Sequence, residues 1–275
     1  MFDINARAAR HPDFVPHEGL LPLPPPDARR RAAARPRLRR ILVATDGTER
    51  SRGALAVAAA LAGRDGAVVE VVSHLPRWGP PPPVHDFLDM TGELLTNRLQ
   101  RVIPQGEHAF GGRARWSVRL VDGGALAPRI AEVAEAGGHD LIVTGRRDGG
   151  VARWLRRPTA LAIARATAIP VLAVPAHVTR PPARAVVATG GAGDDLAAAR
   201  AAARVVAEES GVHLAQSRAV EESVARWAEG AELIALGIQR APSLEARIVR
   251  RIFRAADGCV LLCGAARGEL RPGGA

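Results

Sequence analysis

Short apolar runs alternate with stretches of helical periodicity from residue 40 to residue 175. A short apolar run is typical of a buried strand, whereas apolar residues three and four positions apart indicate an amphipathic helix. The pattern predicts strands at Ile41–Thr45, Ala67–Val72, Ala114–Val121, Leu141–Thr144 and Val171–Val174, and helices at Ser51–Ala62 (with Ser51 as its N-cap), Phe87–Val102, Pro128–Ala136 and Thr159–Ala166. Strands that alternate with helices favour an α/β fold with a doubly wound, Rossmann-like parallel sheet.

The same pattern starts again after the linker PAHVTRPPAR at residues 175–184. AVVATGG matches ILVATDG, AELIALG matches HDLIVTG, and CVLLC matches PVLAV. The sequence therefore predicts two tandem α/β domains, at residues 39–178 and 183–266. The second is truncated, since it has no counterpart of the loop LPRWGPPPPVHD and the helix after it. Each half ends in an apolar strand, so we expect the halves to pack through these strands as a pseudo-dimer; a homodimer of the whole chain is left open.

The first 38 residues have a different composition, rich in proline and arginine without a periodic apolar face, and are predicted to be a disordered tail. Residues 1–40 hold nine arginines and four acidic residues, about half of the chain's net charge of +10. Aromatic residues make up only 3% and tyrosine is absent, so nucleic-acid binding by base stacking is not favoured. The chain contains no lysine, which excludes a Walker-type phosphate loop.

Several sequence features predict a cytoplasmic protein that is not attached to a membrane. No apolar run reaches the roughly 18–20 residues that a spanning helix needs, and the N-terminal residues lack the apolar core of a signal peptide. Cys259 and Cys263 are four residues apart, about 13 Å on a strand, which is too far for a disulfide.

The histidines are scattered without metal-ligand spacing, and no nucleophile–base pair is evident. We therefore expect no metal cluster and no enzyme activity, with slow ATP hydrolysis left open.

Three groups of residues follow strands, where ligands bind in open parallel sheets. Thr45 and Asp46 follow the first strand, and a carboxylate there can accept hydrogen bonds from ribose hydroxyls or an adenine amino group. His74 follows the second strand and could lie against a base. The loop from Gly145 to Thr159 opens a helix, whose N-terminus favours phosphate. The alternatives are a turn aspartate, a surface histidine and a solvated basic loop.

The segments ILVATDGTERSRGAL, VDGGALAPRIAEVAEAGGHDLIVTG and RATAIPVLAVP resemble the universal stress protein family over residues 40–175, and the second half resembles it more weakly up to Cys263. The resemblance implies a five-stranded parallel α/β fold and, in many members, ATP or AMP bound through an aspartate after the first strand and a loop G-x-x-G-x9-G-(S/T) after the fourth. Asp46 matches that aspartate, Gly145 the first glycine and Thr159 the final hydroxyl, while His74 stands where a valine usually contacts adenine.

Two glycines of the loop pattern are replaced, by Asp148 and Pro158. Proline has no N–H to donate, and the loss of one hydrogen bond costs about 1 kcal/mol. A well-placed arginine offers a charged bond to phosphate worth about 1.5–3 kcal/mol. Other loop residues could replace the lost contacts. Gly149 and Gly150 could form the turn, and five arginines could bind the phosphate charge: Arg146, Arg147, Arg153, Arg156 and Arg157.

The second half lacks this chemistry, because Gly190 replaces the aspartate and the loop after Gly237 is three residues shorter and has no glycine. We therefore expect at most one adenine nucleotide site, in the first half of a regulatory stress-response protein. The alternative is a scaffold that binds no nucleotide and engages an acidic partner through its basic surfaces.

Overall fold

The structure is a computed structural model of the 275-residue chain. It describes residues 37–75, 84–146, 158–183, 185–189, 193–207, 212–216, 231–238, 251–253 and 255–264. The strands are β1 Arg40–Ala44, β2 Val68–Leu75, β3 Trp116–Asp122, β4 Leu141–Arg146, β5 Val171–Pro175, β6 Ala185–Thr189, β7 Val212–Gln216, β8 Leu233–Ile238 and β9 Cys259–Gly264. The helices are α1 Arg52–Asp65, α2 Val84–Phe110, α3 Leu126–Ala136, α4 Thr159–Ala166 and α5 Gly193–Val206, with a 3-10 turn at Glu49–Ser51 before α1.

The described strands form one sheet in the order β3-β2-β1-β4-β5-β9-β8-β6-β7. Every neighbouring pair is parallel except β5 and β9, which run antiparallel. The predicted α/β fold with a mainly parallel sheet is confirmed. The order reverses between β1 and β4, which places the switch point of the first half between these two strands.

The second half of the sheet has a strand order like that of the first. In the direction away from the β5–β9 junction, β9-β8-β6-β7 follows the same order as β5-β4-β1-β2. The backbone just before β1 and just before β6, the first strand of each half, also donates a hydrogen bond to an acidic side chain. Asp140 Oδ2 accepts one from Arg39 N at 2.6 Å, and Glu232 Oε2 accepts one from Ala183 N at 2.6 Å. Asp140 and Glu232 hold equivalent places before β4 and β8. Both halves therefore begin with the same backbone contact.

The hydrophobic core lies in two layers, one on each face of the sheet. Helices α1, α2 and α5 cover one face, and α3 and α4 cover the other together with Ile252 and Phe253. The central strands are buried on both faces, so Ile41, Leu42 and Val43 are all fully buried. This is why β1 has a continuous apolar sequence and no alternation.

Helix α2 is longer than its sequence pattern predicts. The predicted end at Val102 is wrong, because the helix continues through Pro104 to Phe110. Phe110 is fully buried, and its ring centroid lies 5.7 Å from that of Trp116 at the start of β3. Burial of the last turn offsets the hydrogen bond that a proline removes from a helix.

Ser51 occupies the N-cap position of α1, as the sequence predicts, but its side chain does not cap the helix. No capping hydrogen bond from its side chain is present, and its hydroxyl instead donates to Asp46 Oδ1 at 3.3 Å. Ser51 is the last residue of the 3-10 turn and is buried. The serine therefore supports the turn after β1.

One residue of the predicted tail is part of the packed structure. Leu38, expected as the last residue of the tail, is 2% exposed, and its N–H donates to Asp65 Oδ2 at 3.2 Å. The remainder of the predicted tail, residues 1–36, lies outside the described residues.

Both cysteines lie in β9, free and buried, as the sequence predicts. Burial raises the pKa of Cys259 and of Cys263 to about 12 each. Within the described ranges, no helix is long and apolar enough to cross a membrane.

Candidate functional site

The candidate site lies at the carboxyl end of β1 and β4. The loop after β1 leads into α1 on one face of the sheet, whereas the chain after β4 leads to α4 on the other. Loops that diverge at such a switch point leave a crevice in which ligands bind in open α/β sheets. Asp46 follows β1, Gly145 lies near the end of β4, and Thr159 opens α4.

Thr45 forms the base of the turn after β1. It is 7% exposed; its Oγ1 accepts a hydrogen bond from Gly47 N at 2.9 Å, and its carbonyl accepts one from Ser73 Oγ at 2.8 Å. Gly47 has a φ of +69°, which favours glycine. Thr45, predicted as a ligand contact, therefore has an evident role in shaping the turn.

Asp46 is solvent-exposed, and its two carboxylate oxygens have different surroundings. Oδ1 accepts hydrogen bonds from Thr48 N at 3.0 Å, Thr48 Oγ1 at 2.6 Å and Ser51 Oγ at 3.3 Å. Partial burial raises the pKa of Asp46, but these bonds and the charge of Arg98 outweigh it and hold the pKa below 3.8. Oδ2 accepts no hydrogen bond from the residues that the structure describes. Asp46 thus offers an ionised oxygen to a ligand.

Helix α2 holds the same turn from the side. Arg98 Nη1 donates to the Asp46 carbonyl oxygen, and Gln105 Nε2 donates to the Gly47 carbonyl oxygen at 3.0 Å. A Cβ on Gly47 would lie 3.0 Å from Arg101 Cβ, so the turn packs closely on the helix. Arg98 and Gln105 are not predicted by the sequence, because no local pattern indicates that a helix some 50 residues away contacts this turn.

Gly145 is explained by packing. A Cβ at this position would lie 2.5 Å from the Arg50 carbonyl oxygen and 3.2 Å from Ser51 Cα, both in the backbone of the 3-10 turn. Only glycine lets β4 pass this close to the turn that leads into α1. The predicted phosphate role of Gly145 is not needed to account for the residue.

Thr159 is the first residue of α4 and is exposed. Pro158 precedes the helix with φ −57° and ψ 128°, and its carbonyl accepts hydrogen bonds from Leu161 N at 3.1 Å and Ala162 N at 3.2 Å. Proline therefore starts the helix, as its fixed φ favours.

The other predicted loop residues, Arg147, Gly149 and Gly150, lie outside the described residues, as do Asp148 and Gly190.

His74 lies near the end of β2, where the sequence predicts a contact with the base. Its ring is half-buried, and Nε2 lies 3.2 Å from the carbonyl oxygen of Gly123 in the loop after β3. Since a carbonyl can only accept, Nε2 carries the proton in this contact. The ring is therefore fixed across the end of the sheet.

Arg146 is one of the five loop arginines that could offer a bond to phosphate, and the structure directs its side chain elsewhere. Its side chain is buried, and Nη2 donates to the Ala256 carbonyl oxygen at 2.6 Å. Ala256 lies just before β9, so Arg146 joins the two halves of the sheet.

No group of three or more His, Cys, Asp or Glu side chains that could hold a metal ion occurs in the part of the chain that the structure describes.

A sequence profile of the universal stress protein family matches residues 37–175. That range covers half of the chain and contains β1–β5 together with Asp46, His74, Gly145 and Thr159. The chain belongs to the universal stress protein family. No curated protein matches the chain in a sequence comparison.

Two solved structures show the same fold, and a third matches a smaller part of the chain. A universal stress protein from Archaeoglobus fulgidus is 16% identical with a TM-score of 0.60, covering 84% of this chain and 97% of that protein. A putative universal stress protein from Pseudomonas aeruginosa is 15% identical with a TM-score of 0.52, covering 82% and 93%. A universal stress protein in complex with cAMP is 19% identical with a TM-score of 0.39, covering 50% and 98%.

Proposed function

We propose that this protein is a tandem universal stress protein whose first half binds an adenine nucleotide, ATP or AMP, at the crevice between β1 and β4. The observation that carries the proposal is the Asp46 carboxylate, which is exposed and ionised at the switch point. Its Oδ1 accepts hydrogen bonds from Thr48 and Ser51, and these bonds fix the orientation of the carboxylate. The other oxygen, Oδ2, can then accept a hydrogen bond from a nucleotide.

The proposed role is regulatory binding in the cytoplasm, with no catalysis. A binding protein of this kind needs a fixed contact to the nucleotide and no group that attacks it. The equivalent position in the second half is Gly190, which has no side chain to offer, so one nucleotide per chain is expected. The antiparallel pair β5–β9 then serves as the junction of an internal pseudo-dimer.

Calorimetric titration with ATP and with AMP tests the proposal. Wild-type protein is expected to bind with a stoichiometry near one, and Asp46→Ala to lose most of the binding. Asp46→Asn keeps an oxygen that can accept from Thr48 and removes the charge, so it separates binding from collapse of the turn. Asp122→Ala is the matched control, because Asp122 is an exposed aspartate that ends β3 at the same edge of the sheet.

Absence of binding by the wild-type protein would reject the nucleotide site and favour the scaffold that engages an acidic partner. Equal binding by wild-type and Asp46→Ala protein would show that the nucleotide binds elsewhere.

A further inference from the structure

We propose that Arg98 of helix α2 is a second nucleotide-binding residue, which donates to a ribose hydroxyl oxygen beside the one that Asp46 binds. This inference rests on the proposed nucleotide site at Asp46. It adds a residue from a different helix and identifies the sugar as the group that the pair recognises.

The first support is the position of the guanidinium group. Arg98 Nη1 donates to the Asp46 backbone carbonyl, so the guanidinium is held against the residue whose side chain faces the ligand. An arginine has five N–H donors in a planar fork. Apart from the bond to Asp46, Arg98 makes no hydrogen bond with the described residues, so Nε and Nη2 keep donors for a ligand.

The second support is the pairing of donors with an acceptor. Asp46 Oδ2 accepts nothing from the described residues, and the Arg98 charge lies close enough to help lower the pKa of Asp46. The ionised acceptor Asp46 Oδ2 therefore lies near the charged N–H donors of Arg98 that make no hydrogen bond with the described residues. A ribose presents two neighbouring hydroxyls, of which one can donate to Oδ2 while the oxygen of the other accepts from Arg98.

The third support is exposure, which favours the sugar over the base. The edge of adenine also has a hydrogen-bond donor next to an acceptor. A protein site distinguishes adenine from other bases strongly only where water is excluded, because a different base then leaves buried polar groups of the site unpaired. Asp46 is exposed and Arg98 is half-buried. Ribose hydroxyls remain partly hydrated when bound, so they suit an open pair of this kind.

The test measures the affinity of wild-type and Arg98→Met proteins for ATP, 2′-deoxy-ATP, 3′-deoxy-ATP and inosine triphosphate by calorimetry. We expect wild-type protein to bind each of the two deoxy analogues about tenfold more weakly than ATP, because one analogue loses the hydrogen bond to Asp46 and the other loses the hydrogen bond from Arg98. Arg98→Met should bind ATP about tenfold more weakly than wild-type protein does. It should bind the analogue that lacks the hydroxyl contacted by Arg98 as well as wild-type protein does. Its preference for ATP over inosine triphosphate should be unchanged.

Two variants serve as controls. Arg113→Met removes the same charge from an exposed position beyond the end of α2 and should leave all affinities unchanged. Gln105→Leu removes the other hydrogen bond from α2 to the turn, the one to the Gly47 carbonyl oxygen. It should weaken ATP and the deoxy analogues equally, because it affects only the position of the turn.

Three results would overturn the inference. If Arg98→Met weakens ATP and both deoxy analogues equally, Arg98 only positions the turn. If it removes the preference for ATP over inosine triphosphate, Arg98 reads the base. If ATP binding is unchanged, Arg98 does not contact the ligand. Failure of the proposed function itself is separate, since wild-type protein would then bind no nucleotide or would bind it independently of Asp46.

Discussion

Replacement of Gly145 by alanine tests whether this glycine is present for packing. The added Cβ would lie 2.5 Å from the Arg50 carbonyl oxygen and 3.1 Å from the Arg50 carbonyl carbon. Both atoms belong to the backbone of the 3-10 turn, so no side chain can rotate away to make room. Relief requires that β4 or the turn moves, and overpacking of this kind costs about 1–3 kcal/mol.

The expected consequence is a less stable protein. For a domain of about 150–250 residues, 1 kcal/mol shifts Tm by about 2–4 °C, so Gly145→Ala should lower Tm by about 2–12 °C. Thermal and urea unfolding followed by circular dichroism measure this change. Any nucleotide affinity should fall as well, because the displaced turn carries Ser51, whose hydroxyl holds Asp46 Oδ1.

Gly63→Ala is the matched control. Gly63 lies within α1, and a Cβ there would be 3.6 Å from the Arg113 carbonyl oxygen, an ordinary contact. Alanine in a helix is favoured over glycine by about 0.5–1 kcal/mol, so this variant should be slightly more stable than the wild type. Packing does not explain this glycine if Gly145→Ala matches the wild type in Tm, or if it loses nucleotide binding with no loss of stability.

Two further predictions concern the opposite edge of the sheet. Asp140→Ala removes the acceptor for Arg39 N and Arg40 N and should lower the free energy of unfolding by about 1–2 kcal/mol, measured by urea unfolding; Asp140→Asn should lose less, and equal losses for both would contradict the role of the side-chain oxygen. Burial lowers the pKa of His139 below 6.5 although the Ala134 carbonyl and the Glu70 carboxylate raise it, so stability should be full above pH 6.5 and fall as the pH drops below it. His139→Gln should reduce the dependence of the free energy of unfolding on pH between pH 7.5 and 5.5. A wild-type protein that becomes more stable in acid would show instead that the attraction between charged His139 and Glu70 outweighs the effect of burial.

Much of the candidate site was predictable from local sequence. A short continuous apolar run such as Leu141–Val143 favours a buried strand when helical stretches flank it, and Asp46 follows the first such strand. The carboxyl ends of parallel strands meet at one edge of the sheet, so the order of elements alone brought Asp46, His74 and Gly145 to the same edge.

The partners of these residues depend on contacts between distant parts of the chain. Arg98 reaches Asp46 across 52 positions, and Arg146 reaches Ala256 across 110. An arginine in a sequence shows its charge but not its direction, because its long side chain can reach solvent, a ligand or a buried carbonyl equally well. The sequence therefore leaves Arg146 as one of several arginines that could contact phosphate, whereas packing of β9 beside β5 directs its side chain to the second half.

The sequence by itself determined the alternation of strands and helices, the repeated motifs and the chemical groups available at the end of β1. Apolar periodicity and turn residues act over a few positions, so they are visible in the chain before it folds. The tertiary structure decided what each group touches: α2 extends through Pro104 because Phe110 is buried, and Gly145 is required because the turn at Arg50 lies against it. These outcomes depend on the space between packed elements, which no local stretch of sequence specifies.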